Sequence, residues 1–193
     1  MKGTKSTLLK NISNIQTGYA LRAKLLEDPN GSMSILQMKD VQPKGIEWRN
    51  LATISPIGKK PPYYLHSEDV IFCGRGTKIF AVPVLIQSEN VAAGQQFFVL
   101  TPKEGIPAEY IAWYINSKHG QKYFWKNAGG SLIINVTKDV LENCPIYLPS
   151  VEELITFTKL IKSTELEWQK FTQLKDKRQE LLEGIISEGM EGA

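Results

Sequence analysis

Histidine and cysteine are scarce, with two of each among 193 residues. Cys73 and Cys144 stand apart without CxxC spacing, so no disulfide framework or zinc site is indicated, and both are expected as reduced core thiols. His66 and His119 have no second His or Cys at helical spacing, which leaves no local metal motif. No window approaches the ~20 apolar residues a membrane span needs. The N-terminal MKGTKSTLLKNISNIQTG is basic but carries neither a long apolar run nor a small-residue cleavage site. The expectation is a cytoplasmic protein with no metal and no cofactor.

Catalytic signatures are missing as well. The phosphate-cradling pattern G-x-x-x-x-G-K-[ST] does not occur, and Gly74-Arg75-Gly76-Thr77-Lys78 lies between two strand-like runs rather than opening a helix. In KKPPYYL, Pro61-Pro62-Tyr63 supplies half of the pattern by which DNA amino-methyltransferases hold a target amine. The preceding position needs an acceptor, and Lys60 can only donate. Glu68 and Asp69 are adjacent, so on a strand they point to opposite faces and do not form an acid/base pair. Binding is favoured over catalysis.

What is present is an ordinary globular composition, 42% apolar and 22% charged, with charge unevenly placed. Residues 1–149 hold 17 Lys+Arg against 11 Asp+Glu, and residues 150–193 hold 6 against 9. A basic body suited to polyanions therefore carries an acidic tail. The body is punctuated by Gly and Pro, and SMSILQMKDV, DVIFC, IFAVPVLIQ and QQFFVL between them read as strands. One helical patch, IPAEYIAWYINSKHGQKYFWKNAGG, places Pro107 at a first helical position and Gly120 where the helix stops or bends. The fold class is α+β: a strand-rich domain over 1–148, followed over 149–193 by a long helix with a short tail.

Ser150 with Glu153 reads as a capping box opening that helix. Leu154, Phe157, Ile161, Trp168, Phe171, Leu174, Leu181 and Ile185 then follow a near-heptad spacing, the seam of a coiled-coil or dimer helix on the order of 50 Å long. Lys175 and Arg178 interrupt it. From residue pattern alone three classes stay open: a DNA-specificity module, a coiled-coil interaction protein that never touches DNA, and a fragment of a DNA amino-methyltransferase, which Lys60 disfavours.

The order of motifs resembles the specificity subunit of type I restriction-modification systems. NISNIQTGYALR looks like the family's opening strand and glycine, and MSILQMKDV like its strand followed by Asp-Val. YLHSEDVIFCGRGTK is similar to an acidic residue before a short strand ending in an Arg/Gly turn. IPAEYIAWYINSKHGQKYF resembles the family's helix ending in Asn-Ser, and GGSLIINVTKDVLENCPIYLPSVEEL the passage into the spacer helix. Leu154 stands where the family usually has glutamine. The pattern corresponds to one target-recognition domain and one helix, without an internal repeat, and so resembles half a subunit.

The resemblance implies a protein that is not itself an enzyme. Its partners would be double-stranded DNA, methyltransferase subunits and a restriction subunit, and two copies would form a homodimer through the C-terminal helix. Loops would read base edges while the helix pair sets the gap between half-sites. For base contact the first expectation is Arg75 and Lys78, in a turn with Gly76 and Thr77. Arg22, Lys24, Lys59 and Lys60 are expected on phosphates, and Tyr63, Tyr64, Ser131 and Asn135 as polar or aromatic readers.

Overall fold

The structure, a computed structural model, describes residues 5–20, 27–56, 61–85, 89–129 and 133–191. The chain begins with β1 (Lys5–Leu8), a single helical turn α1 (Leu9–Ile12) and β2 (Ser13–Thr17). Short strands follow: β3 (Met33–Leu36), β4 (Val41–Gln42), β5 (Gly45–Ile46) and β6 (Ala52–Ile54). Then come β7 (Val70–Cys73), β8 (Arg75–Gly76), β9 (Phe80–Pro83), β10 (Val91–Ala93) and β11 (Phe98–Pro102). Helices α2 (Ala108–Asn116) and α3 (Lys118–Asn127), strand β12 (Ile134–Asn135), helix α4 (Lys138–Glu142), strand β13 (Pro145–Leu148) and the long helix α5 (Val151–Glu191) complete it. The mixture is α+β, as the segment pattern implies.

The central sheet has the order β2-β11-β7-β9 and is antiparallel throughout. All four residues of β7 are buried, which is why VIFC is a continuous apolar run and not an alternating one. Val70 and Phe72 face one cluster with Leu100, Tyr110, Ile111, Ile115 and Phe124. Ile71 and Cys73 point the other way, into a cluster with Phe80, Val82, Val91 and Val99. The period-two alternation of the strand thus serves two cores. Phe72 lies 5.2 Å from Phe124 between ring centroids, and its loss to alanine would cost about 3–5 kcal/mol.

A second sheet, β10-β3-β6, carries its own cluster of Met33, Ile35, Ile54 and Ala92. Beside it Gly18 is required: a Cβ there would sit 2.1 Å from the Gly94 carbonyl oxygen, where the Tyr19 N–H donates to Ala93 at 2.7 Å. Cys73 and Cys144 are both buried free thiols, and burial pushes each up to about 12.

The helical patch differs from expectation at its bend. Pro107 is the residue before the first turn, not within it, and the break falls at Ser117, whose ψ of 162° is extended. Ser117 ends α2 and starts α3 by accepting from the Gly120 N–H at 3.4 Å. Gly120 permits this tight corner, since a Cβ would meet the Tyr114 and Ile115 carbonyls at 2.5 Å. Just before the corner, the Asn116 side chain pairs with both backbone groups of Ala81 on the edge strand β9, at 2.9 and 2.8 Å. A helix side chain thus replaces a missing strand partner.

Helix α5 opens on the capping box: the Ser150 N–H donates to Glu153 at 2.8 Å, and the Glu153 N–H returns to the Ser150 hydroxyl at 3.3 Å. The 41 residues extend about 60 Å. Its first turns pack against the domain. Leu154 and Ile161 are buried by their own chain, and Phe157 packs on Trp113 at 5.7 Å and Tyr110 at 6.1 Å. Lys162 pairs with Glu109 of α2 at 2.9 Å, a further contact between the two helices. Trp168, Phe171, Leu174, Leu181 and Ile185 are all exposed, together with Leu166, Leu182 and Ile186.

Candidate nucleic-acid interface

Strand β7 runs on through Gly74 into the two-residue strand β8, which pairs antiparallel with β12. The register sets Arg75 against Asn135 and Gly76 against Ile134. The backbone, not the side chains, builds this edge. The Val136 N–H donates to the Gly74 carbonyl at 2.8 Å, and a Cβ at Gly74 would lie 2.5 Å from the Phe72 ring. Gly76 has φ +125°, a conformation only glycine adopts without strain, with open space where a Cβ would point. Arg75, Thr77, Lys78 and Asn135 are exposed.

These side chains offer a guanidinium fork and an amide on paired strands and, three residues after Arg75, an ammonium. Arg presents paired donors that match guanine O6 and N7, and an Asn amide can bond adenine N6 and N7 together. Thr77 and Lys78 also line an open cleft of about 400 Å³ with Gln121 and Trp125 of α3. Trp125 is 58% exposed, and neither it nor Gln121 was anticipated as a functional residue. Their signal was a basic helix with an outward tryptophan, KHGQKYFWKN, adjoining the Gly-Gly turn.

Other expected readers sit elsewhere. Tyr63 is half-buried, and its hydroxyl donates to the Asp69 carboxylate, 3.0 and 3.1 Å from the two oxygens. Asp69 is fully buried and also accepts from the Thr101 hydroxyl at 2.8 Å and the His66 N–H at 2.9 Å. Burial pushes the Tyr63 phenol up; the Thr101 hydrogen bond opposes this and the Asp69 charge adds to it. The network ties the residues after Pro62 to the central sheet and engages the Tyr63 hydroxyl within the domain. Tyr64, partly buried, packs on the cluster of the second sheet. Arg22, Lys24, Lys59, Lys60 and Ser131 lie outside the described residues. Among the described residues no three His, Cys, Asp or Glu gather into a metal-binding group, and no helix is long and apolar enough to cross a membrane.

The described residues thus combine a mixed α+β domain, an exposed Arg–Asn strand edge and a long helix with an exposed apolar stretch. The chain belongs to the family described as the type I restriction modification DNA specificity domain, whose model matches residues 1–188. Among solved structures, it is similar to a chain from work on complex assembly and conformational transition of the type I R-M system, at 15% identity and a TM-score of 0.63. The match covers 92% of this chain and 42% of that one. The HsdS subunit from Thermoanaerobacter tengcongensis is similar at 16% identity and a TM-score of 0.55, over 88% of this chain and 40% of that one. The chain therefore spans about two fifths of the length of these structures. No curated protein matches it.

Proposed function

We propose that residues 1–148 read one half-site of double-stranded DNA and that residues 149–193 space and join two such readers, without chemistry of their own. The pairing of Arg75 with Asn135 on one exposed edge carries this reading, because two base-reading side chain types converge there from separate segments. Methyltransferase subunits docked on the chain supply the cofactor site, and a restriction subunit joins the same assembly in the cytoplasm. The exposed apolar residues of α5 from Leu166 to Ile186 support a homodimer through the outer helix. They continue from a groove of about 960 Å³ whose lining includes Trp48, Trp113 and Trp168. A two-fold dimer reads an inverted repeat, since its symmetry is imposed on the target.

Co-expression with a cognate methyltransferase subunit, followed by genome-wide mapping of methylated bases, tests the proposal. A new bipartite methylated motif is expected. Methylation that is unchanged by the chain would sink the specificity reading.

A further inference from the structure

We propose that the outer face of α3 is a phosphate-binding track that continues the Arg75–Asn135 edge, an inference that rests on the DNA-reading function above. Lys118, Lys122 and Lys126 recur every four residues and so lie along one side of the helix, and all three are exposed. The helix contains no Asp or Glu. Among the described residues no carboxylate lies within ion-pair distance of these three ammonium groups. The acids of neighbouring α4 are engaged locally: Glu142 with Lys138 at 3.4 Å, and Asp139 with the Asn143 amide at 2.9 Å.

This arrangement works against the helix itself. Like charges four residues apart repel, and Lys118 sits at the positive end of the helix dipole, where an acid would be favourable. An anion lying along the face would relieve both. From Lys118 to Lys126 the rise is about 12 Å, the axial length of three to four phosphates on one strand at about 3.4 Å each.

Two contacts tie this face to the reading edge. The Asn135 N–H donates to Gly129, just beyond the end of α3, at 3.0 Å. Trp125 shares its cleft with Thr77 and Lys78. The indole, on the same helix as the lysines and in the cleft beside the residues that follow β8, offers a flat apolar surface and one N–H donor to a sugar or base edge. Lysine contacts of this kind hold the duplex in register and carry no sequence information.

The test uses the full chain and two duplexes, one bearing the motif found by methylation mapping and one scrambled, titrated from 50 to 200 mM salt. The triple variant K118Q/K122Q/K126Q is expected to weaken binding to both duplexes by the same factor. It should also reduce the slope of log K against log salt by about 1 per lysine. The charge-preserving triple arginine variant should keep the wild-type slope, which separates charge from folding. Trp125→Ala should weaken both duplexes at unchanged slope. An unchanged slope in the glutamine triple, with wild-type target preference intact, overturns the α3 track and leaves the specificity reading standing. Absence of salt-dependent binding by the wild-type chain overturns both.

Discussion

Arg75 and Asn135 stand opposite each other across the two-residue ladder of β8 and β12, though they come from distant parts of the chain. Arg75→Ala is expected to cost about 1–3 kcal/mol of binding and to relax one target position, and Asn135→Ala to relax the same or the adjacent one. Because the two are neighbours, their double variant should depart from the sum of the single effects. Binding across a panel of single-base target variants measures this, and an additive double variant with preferences intact would remove the pair from the interface.

Tyr63→Phe separates a structural lock from a base reader. It takes one of three donors from the buried Asp69 carboxylate, so stability to chemical denaturation should fall by about 1–3 kcal/mol. Target preference should stay as in the wild type. Altered preference at full stability would return Tyr63 to the interface.

The two halves of α5 should respond differently to substitution. Leu154→Ala opens space in the domain core and is expected to lower stability by about 2–5 kcal/mol. Phe171→Glu, on the exposed stretch, should leave domain stability unaffected while shifting the proposed dimer toward monomer in light scattering. A wild-type chain that is strictly monomeric at tens of micromolar would count against the helix pair.

Acid should weaken the start of α5. The Ser150 backbone N–H and then its hydroxyl hold the Glu153 carboxyl below the usual carboxylate range. A depressed folded value means that the stabilisation is complete above the unfolded value and is lost as pH falls through the folded one. Glu153→Gln should therefore flatten that part of the stability profile, read by denaturant titration across acidic pH. An unaltered profile would show that the capping box contributes nothing to it.

Much of the fold was legible because its signals are local. Strand β7 shows as VIFC, and Ser150-x-x-Glu153 announces α5 in four residues. The bend between α2 and α3 was misplaced because glycine was read as the breaker, whereas Ser117 both ends and caps, and Gly120 only makes room. Periodicity placed Leu154, Phe157 and Ile161 on one stripe with Trp168 but cannot name what covers a stripe. Here the domain takes the first three and leaves the rest exposed. At the interface, residue type pointed to Arg75 and Asn135 separately, while their adjacency depends on a long-range strand pairing that local pattern does not encode. The partners of Tyr63 are equally hidden from local pattern, since Asp69 and Thr101 are brought to it by the central sheet.

The β8–β12 ladder is held by glycine geometry and main-chain hydrogen bonds, and the side chains of Arg75 and Asn135 contribute nothing to the core. If this edge reads DNA as proposed, recognition and folding are separated in the inheritance of this molecule. On the proposed reading, exchanges at positions 75 and 135 would redirect the protein to a new target in single steps, each costing little stability, while the scaffold beneath stays the same.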